Sequence, residues 1–204
     1  MRTGFLITLM AVSIPAAATL LLSEGFNATT LPAGWQRTTL VNVGGDATPA
    51  VSFVTSSTYP TAAPYEGTHF AKFNSYSSYA GTSIRLWHSN GFSTVGFGKM
   101  KLRFAWHQYS GQFSRPDEGV WLRWSTNGTA WHAFAFYGNA AAPAGWQLKE
   151  LELPMACMEQ PRVQLAFDFV SGYGYNCYLD AVQVTGLAPN VYFTPELSHA
   201  AGLP

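Results

Sequence analysis

The segment Asn176-Cys177-Tyr178-Leu179-Asp180-Ala181-Val182-Gln183-Val184, near the end of the chain, decides the fold and raises a question. Its side chains alternate with a period of two, which is typical of a short β-strand. This alternation places Asp180 on the same face as Val182 and Val184. If the valine face is the core face, Asp180 points into the protein. A buried carboxylate needs a cation, a proton or several hydrogen bonds, so the way Asp180 is satisfied matters for the closing strand.

Strand patterns continue through most of the chain, and no window shows a convincing helical period. The clearest strand is Lys99–His107, where apolar residues at positions 100, 102, 104 and 106 alternate with Lys99, Lys101 and Arg103. Asn127-Gly128 indicates a hairpin turn. The predicted strands are residues 19–26, 36–42, 50–54, 68–74, 82–87, 99–107, 119–125, 131–137, 146–153, 163–169 and 176–184. The sequence therefore predicts an all-β fold, a jelly-roll β-sandwich of two antiparallel sheets.

The composition indicates an exported binding protein more than a cytosolic enzyme. The chain has 204 residues, which suits one domain, and 11 basic residues balance 11 acidic ones. A zero formal net charge gives no basic surface for nucleic acid, so we expect no nucleic-acid partner. Only 11% of the residues are charged and 15% are aromatic, a combination common in secreted β-proteins.

The N-terminal residues predict export. Arg2 precedes an apolar run from Phe5 to Ile14, and the small residues up to Ala18 provide a cleavage site. We interpret residues 1–18 as a signal peptide, 19–186 as the sandwich and 187–204 as an irregular tail. A prepilin-like leader, suggested by Arg2-Thr3-Gly4-Phe5, is one alternative, and a retained anchor is another, since the apolar character continues to Leu22. No other segment is long enough to cross a membrane, so we expect a secreted, extracellular or cell-surface protein.

Two cysteines, Cys157 and Cys177, would reach an oxidising compartment in the exported chain. In such a compartment they are expected to form a disulfide bond. Two free, buried thiols are the alternative.

Several segments resemble, in the same order, the MAM-like extracellular domains of the cleaved-adhesin and choice-of-anchor J type. The likeness covers about residues 20–186. The resemblance implies a jelly-roll sandwich on adhesins or beside secreted hydrolases, often with a structural calcium ion between first and last strands. The segments that carry it are Ser23–Asn27, Leu31–Trp35, Phe70–Ser75, Leu102–Trp106, Val120–Trp131 and Tyr178–Val182.

The resemblance and the residue pattern together suggest a calcium site. Glu24 takes the family's first acidic position and Asp180 takes the first Asp of its closing Asp-Asp-Val, whereas Asn27 and Ala181 replace acidic residues. Carboxylate and carbonyl oxygens suit Ca²⁺, and Asp46 in a glycine-rich loop is a further candidate. The expected metal ligands are thus Glu24, Asp180, Asn27 and Asp46. The alternative is that both carboxylates are solvated or hydrogen-bonded at strand ends.

Aromatic residues in predicted loops are the candidate ligand contacts. Exposed Tyr and Trp rings can stack on sugars or contact protein partners, although they can also simply pack over the ends of a sandwich. Trp121 is out of phase with the apolar residues of its strand and could share an exposed face with Arg123. The candidates are Tyr76, Tyr79, Tyr109, Phe113 and Trp121, with Tyr173 and Tyr175 in a further loop.

No catalytic constellation is visible in the sequence. The histidines lack a zinc spacing, no nucleophile elbow occurs, and the carboxylate pair Asp117-Glu118 is expected to lie solvated in a loop. We therefore predict a non-catalytic adhesion or binding module that recognises a glycan or protein surface. A self-associating structural subunit of an extracellular assembly is the alternative, and a secreted hydrolase is the least favoured reading.

Overall fold

The computed structural model describes residues 18–44, 50–111, 115–139 and 142–189. Eleven strands make up nearly half of this part of the chain. They are β1 (Ala18–Glu24), β2 (Trp35–Val41), β3 (Val51–Val54), β4 (Phe70–Phe73), β5 (Ser83–His88), β6 (Lys99–His107), β7 (Gly119–Ser125), β8 (His132–Gly138), β9 (Gln147–Glu152), β10 (Gln164–Val170) and β11 (Cys177–Leu187).

The strands form two antiparallel sheets that face each other. The first sheet has the order β3-β4-β11-β6-β9, and β1 also pairs with β11. The second sheet has the order β2-β5-β10-β7-β8. Consecutive strands often belong to different sheets, which is the connectivity expected of a jelly-roll sandwich. The predicted all-β, two-sheet fold is confirmed.

The core lies between the sheets and is built from alternate residues of their strands. In β6, Met100, Leu102, Phe104 and Trp106 are buried, as their spacing predicts. Aromatic rings pack across the gap, with Phe104 meeting Phe167 of β10 at 5.5 Å between ring centroids. Each predicted strand is present, and most ends differ by only one or two residues. No helix in the described residues is long and apolar enough to span a membrane.

The closing strand β11 is organised differently from the prediction. Its register on β6 shifts between Asp180 and Gln183, and Ala181 adopts a positive φ of 51°. Such a β-bulge inserts one residue and reverses the phase of the side chains. Leu179 therefore belongs to the core together with Val182, although their positions differ by three, an odd number that regular alternation would place on opposite faces. The predicted common face of Asp180 and Val182 is wrong, yet Asp180 is still fully buried.

The bulge divides β11 into two halves with different neighbours on one edge. The first half pairs with β4 through Cys177–Leu179, and the second half pairs with β1, where Glu24 lies opposite Val182. β6 follows the other edge along both halves. β11 is thus the central strand to which the first strand and the middle of the chain are joined.

The predicted disulfide bond is absent, since Cys157 and Cys177 are free, buried thiols. Cys177 begins β11 next to the His107 end of β6, whereas β9, which leads to Cys157, ends opposite Lys101. Six residues of β6 separate these points, which is about 20 Å at roughly 3.3 Å per residue. A disulfide requires Cα atoms within about 7 Å, so the strand order keeps the two thiols apart.

Candidate ligand-binding site

Tyrosines from several loops gather at the end of the sandwich where β11 begins. Tyr59 and Tyr76 stack with ring centroids 4.1 Å apart and an angle of 4° between the rings. Tyr109 meets Tyr175 edge-on at 5.2 Å. Tyr79 and Tyr173 form a third pair at 6.3 Å. Most of these rings are at least one-third exposed, so this end of the molecule presents an aromatic surface to solvent.

A cavity of about 460 Å³ opens within this surface. One side is formed by residues 58–61 of the loop between β3 and β4, and the other by Tyr109 and Tyr175. Its volume falls in the range of about 300–1,000 Å³ that is usual for small-ligand sites. The lining offers ring faces with hydroxyl groups at their edges, which combines apolar contact with hydrogen bonding.

The loop that forms one wall of the cavity is held by residues at the start of β11. The Tyr178 hydroxyl lies 2.9 Å from the carbonyl of Thr58 and 2.7 Å from that of Pro60. Asn176 donates from Nδ2 to the same Thr58 carbonyl and accepts the backbone N–H of Tyr76. These bonds fix the loop between β3 and β4 relative to the tyrosines of the next loop.

The same loop is tied down further along its length. Asp180 Oδ2 accepts the backbone N–H groups of Tyr65 and Glu66, at 2.9 and 3.2 Å. Trp146 donates its indole N–H to the carbonyl of Ala63 at 2.8 Å. A small apolar cluster of Ala62, Phe70 and Tyr178 lies beneath, separate from the main core. The loop therefore covers the outer face of the first sheet.

Three backbone N–H groups satisfy part of the hydrogen-bonding capacity of the buried Asp180 carboxylate. Besides Tyr65 and Glu66, the N–H of Ala181 donates to Oδ1 at 2.8 Å. Burial nevertheless raises the pKa of Asp180 to about 6, because desolvation outweighs these hydrogen bonds and the Glu66 carboxylate lies nearby. The carboxylate is thus hydrogen-bonded and still carries an unfavourable charge when ionised.

A second buried carboxylate, Glu118, connects the loops at the tyrosine end. It accepts hydrogen bonds from the Ser75 hydroxyl, the Asn139 side-chain amide and the backbone N–H of Gly174. Burial is the main cause of its raised pKa. The predicted solvated loop position is wrong for Glu118, which is fully buried, and holds for Asp117, which is exposed. Because its bonds reach three separate loops and it does not line the cavity, Glu118 positions the tyrosines without facing the ligand site.

The predicted metal ligands lie around the ends of β1 and the β11 bulge. Glu24 accepts the Phe26 N–H at 2.6 Å, and burial raises its pKa. Asn27 Oδ1 accepts the Thr68 N–H at 2.8 Å. Glu66, which the sequence reasoning missed, comes close to this segment, since a Cβ added to Gly25 would lie 3.3 Å from its Oε1. Within the described residues, no ion pair involves these carboxylates.

The donor chemistry of this junction suits Ca²⁺, which prefers carboxylate, amide and carbonyl oxygens. However, no group of three or more His, Cys, Asp or Glu side chains in the described ranges is arranged to hold a metal ion. Asp46, the fourth predicted ligand, lies outside the described residues. The structure therefore places three of the predicted ligands around one junction without forming a complete coordination site.

The predicted aromatic contacts fall into two groups. Tyr76, Tyr79 and Tyr109 belong to the tyrosine end, whereas Trp121 lies on the outward face of the second sheet beside Phe136. Phe113 lies outside the described residues. Tyr59 was not among the predicted contacts, because its Ser/Thr/Pro-rich segment has no periodic pattern that indicates where its side chains lie.

His107, at the end of β6, is buried. Its ring lies 5.4 Å from Trp146 and 5.5 Å from Tyr178, beneath the covering loop. Burial lowers its pKa.

No family model matches the chain, and no curated protein matches it. Comparison with solved structures finds the same fold in the K3 cleaved adhesin domain of Lys-gingipain from Porphyromonas gingivalis. That domain is 19% identical, has a TM-score of 0.58, and the match covers 83% of this chain and 99% of the domain. The K2 cleaved adhesin domain of Lys-gingipain is 14% identical with a TM-score of 0.56, covering 82% and 99%. These similarities show that the chain shares a β-sandwich fold with the two cleaved adhesin domains.

A third similar structure comes from a study of promiscuous specificity in carbohydrate-binding modules of the β-sandwich superfamily. It is 15% identical, with a TM-score of 0.50, and the match covers 79% of this chain and 60% of the other.

Proposed function

We propose that the chain is an exported, non-catalytic binding module that recognises a glycan through the tyrosine end of its sandwich. The observation that carries this proposal is the cavity of about 460 Å³ with Tyr59, Tyr109 and Tyr175 in its lining. Ring faces stack on the C–H faces of sugars, and phenol hydroxyls bond to sugar hydroxyls. The adhesin and carbohydrate-binding names of similar folds support this reading.

The rigid construction of the site also supports recognition. The cavity wall is held by Tyr178 and Asn176, and the opposite loops are held by Glu118. Affinity gains from such preorganisation, because less conformational entropy is lost on binding. The Glu118 carboxylate is occupied by hydrogen bonds, which fits a positioning role more than acid–base chemistry.

Glycan-array screening of the mature domain, followed by calorimetric titration of the best ligand, tests the proposal. We expect Tyr109→Ala to weaken binding by about tenfold or more, equivalent to about 1.4 kcal/mol. Tyr79→Ala is the matched control, because Tyr79 is 53% exposed at the same end but does not line the cavity. An empty array, or equal losses in both variants, would count against the site.

We further propose that Ca²⁺ binds at the junction of β1 and the β11 bulge, with Glu24, Asp180 and Asn27 as ligands and Glu66 as an added one. The support is the concentration of oxygen donors and the raised pKa values of Glu24 and Asp180, which indicate uncompensated negative charge. Bound calcium would stabilise the fold by about 2.7 kcal/mol at a hundredfold excess over Kd. Melting curves with EGTA and with CaCl₂ should differ in the wild type and coincide in Glu24→Gln.

Self-association is the second candidate function, and β2 is the observation that favours it. This edge strand exposes Leu40 and Val41, which are 42% and 48% exposed, with Val43 following at 39%. Unprotected apolar edges can pair with another chain. Light scattering at high concentration separates the two candidates, since self-association predicts a mass that grows with concentration and falls in Val41→Lys.

A further inference from the structure

The outward face of the second sheet carries an ordered array of aromatic and charged side chains. Strand register sets two rows, each running across all five strands. The first row is Thr38, Arg85, Asp168, Trp121 and Phe136. The second row is Gln36, Trp87, Ala166, Arg123 and Ala133. Trp87 and Trp121 therefore lie diagonally opposite each other across β10, and Arg85 and Arg123 lie on the other diagonal.

The outward face of this sheet carries more positive than negative charge. It has one carboxylate, Asp168, and two arginines, Arg85 and Arg123, whereas Arg37 lies in the other phase, opposite the core residue Leu86, and donates to the Val51 carbonyl of the first sheet. The first sheet differs, because there Lys99 and Lys101 pair with Glu152 and Glu150. The outward face of the second sheet is thus suited to an anionic ligand.

Asp168 orients the arginines without neutralising both. Arg85 donates from Nε and Nη2 to the two carboxylate oxygens, each at 2.6 Å. Arg123 contributes only Nε, 2.7 Å from Oδ2. Across the described ranges of the chain, the two terminal nitrogens of Arg123 have no hydrogen-bond partner, and its side chain is 28% exposed. The Arg123 Nε is close enough to Asp168 for an ion pair but is not aligned for a hydrogen bond, so its terminal nitrogens can bind a carboxylate of a ligand.

An exposed tryptophan lies beside this guanidinium, with the central carbon of Arg123 5.9 Å from the ring centroid of Trp121. Trp121 is 37% exposed and packs on Phe136 at 4.7 Å. Around the other arginine, Trp131 lies over the Arg85 guanidinium at 4.3 Å and meets Trp87 at 5.5 Å. A tryptophan next to an arginine with free donors provides a stacking surface for a sugar ring and a partner for a carboxylate on the same ring.

We propose that this face is a second binding site, specific for acidic polysaccharides whose sugar rings carry carboxylates. Trp121 stacks on a uronate ring, and the terminal nitrogens of Arg123 bind its carboxylate. The inference goes beyond the proposed function, because the face shares no residue with the tyrosine-lined cavity.

Affinity electrophoresis and calorimetry with polygalacturonate and alginate test this site. Fully methyl-esterified polygalacturonate is the matched ligand, because it keeps the sugar rings and removes their charge. We expect the wild type to bind an unesterified polymer at least tenfold more tightly than the ester. Arg123→Gln and Trp121→Ala should each weaken binding tenfold or more, while Arg123→Lys retains part of it.

Arg123→Gln should still fold, since Asp168 keeps both bonds from Arg85, and a thermal melt checks this. Lys101→Gln, on the first sheet, and Tyr109→Ala, in the cavity, should bind the acidic polymers like the wild type. Binding to neither polymer would overturn the proposal, as would equal affinity for the ester, unchanged binding in Arg123→Gln, or equal affinity for polyglutamate. Because Tyr109→Ala tests the cavity separately, either site can fail alone.

Discussion

At the scale of single residues, Asp180 shows how a buried carboxylate is tolerated at a β-bulge. Its two oxygens accept three backbone N–H groups, two of them from the covering loop. The sequence predicted burial on the face of Val182 and Val184, whereas Asp180 is buried beneath the covering loop, because the bulge places it out of phase with those valines. The bulge at Ala181 could not be predicted from the alternation of apolar side chains. One inserted residue reverses the phase of the strand, but the alternation remains regular on each side of it.

Asp180 predicts a pH dependence of stability. Its pKa rises from an ordinary value of 3.8 to about 6 in the folded protein, so the folded state holds its proton more tightly than the unfolded state. The free energy of unfolding should therefore fall as pH rises from about 4 to about 6, by up to about 3 kcal/mol from this residue. Urea denaturation at several pH values, in EDTA, measures this contribution.

Asp180→Asn is the control for that experiment, because it removes the titration. Glu24 and Glu118 have pKa values raised in the same direction, so only the difference between wild type and variant isolates Asp180. A difference that does not change between pH 4 and 7 would contradict the prediction. If calcium binds, CaCl₂ should abolish the fall or reverse it, since a bound cation favours the ionised carboxylate.

A second prediction at the residue scale concerns Glu118. Glu118→Gln replaces one acceptor oxygen by a donor, which leaves Asn139 or the Ser75–Gly174 pair facing another N–H group. We expect a loss of about 1–3 kcal/mol in the free energy of unfolding, measured by urea denaturation. Asp117→Asn, at the exposed neighbouring position, should change stability by less than about 0.5 kcal/mol. Equal effects of the two substitutions would argue against a structural role for Glu118.

At the scale of elements, the strands were predictable and the covering loop was not. Lys99–His107 and Gly119–Ser125 have the predicted bounds, because strict alternation specifies a half-buried strand locally. The loop of residues 55–69 has no such period. Its position depends on contacts with Tyr178 and Asp180, which are more than a hundred residues later in the chain. Residues 58–61 of this loop form one wall of the cavity. The sequence therefore identified Tyr109 and Tyr175 of the cavity and missed the wall that contains Tyr59.

Removing one hydroxyl should loosen this loop. Tyr178→Phe deletes the donor to the carbonyls of Thr58 and Pro60, and we expect a loss of about 1–2 kcal/mol in stability. Hydrogen exchange should become faster in residues 57–66, while the strands of the second sheet stay protected. Tyr65→Phe is the control, because its hydroxyl makes no bond within the described residues. Unchanged exchange in Tyr178→Phe would show that the hydroxyl does not hold the loop.

At the scale of the whole molecule, the strand order decides the state of the two cysteines. Composition and compartment suggested a disulfide bond, but they carry no information on where β9 ends relative to the start of β11. That relation arises from β6, which pairs with β11 on one side and β9 on the other. Both thiols are in the core, where desolvation raises the pKa of Cys157 to about 12 and also raises that of Cys177.

The folded protein should therefore contain two unreactive free thiols and should not depend on a disulfide for stability. A thiol reagent should label neither cysteine in native buffer and both in denaturant, because the reactive thiolate is suppressed by burial. The melting temperature should be the same with and without dithiothreitol. Cys157→Ala should lower stability only by the cost of a small cavity, about 1–2 kcal/mol, in either buffer. A melting temperature that falls on reduction in the wild type and not in Cys157→Ala would mean that the cysteines pair, which would require β9 and β11 to be arranged differently along β6.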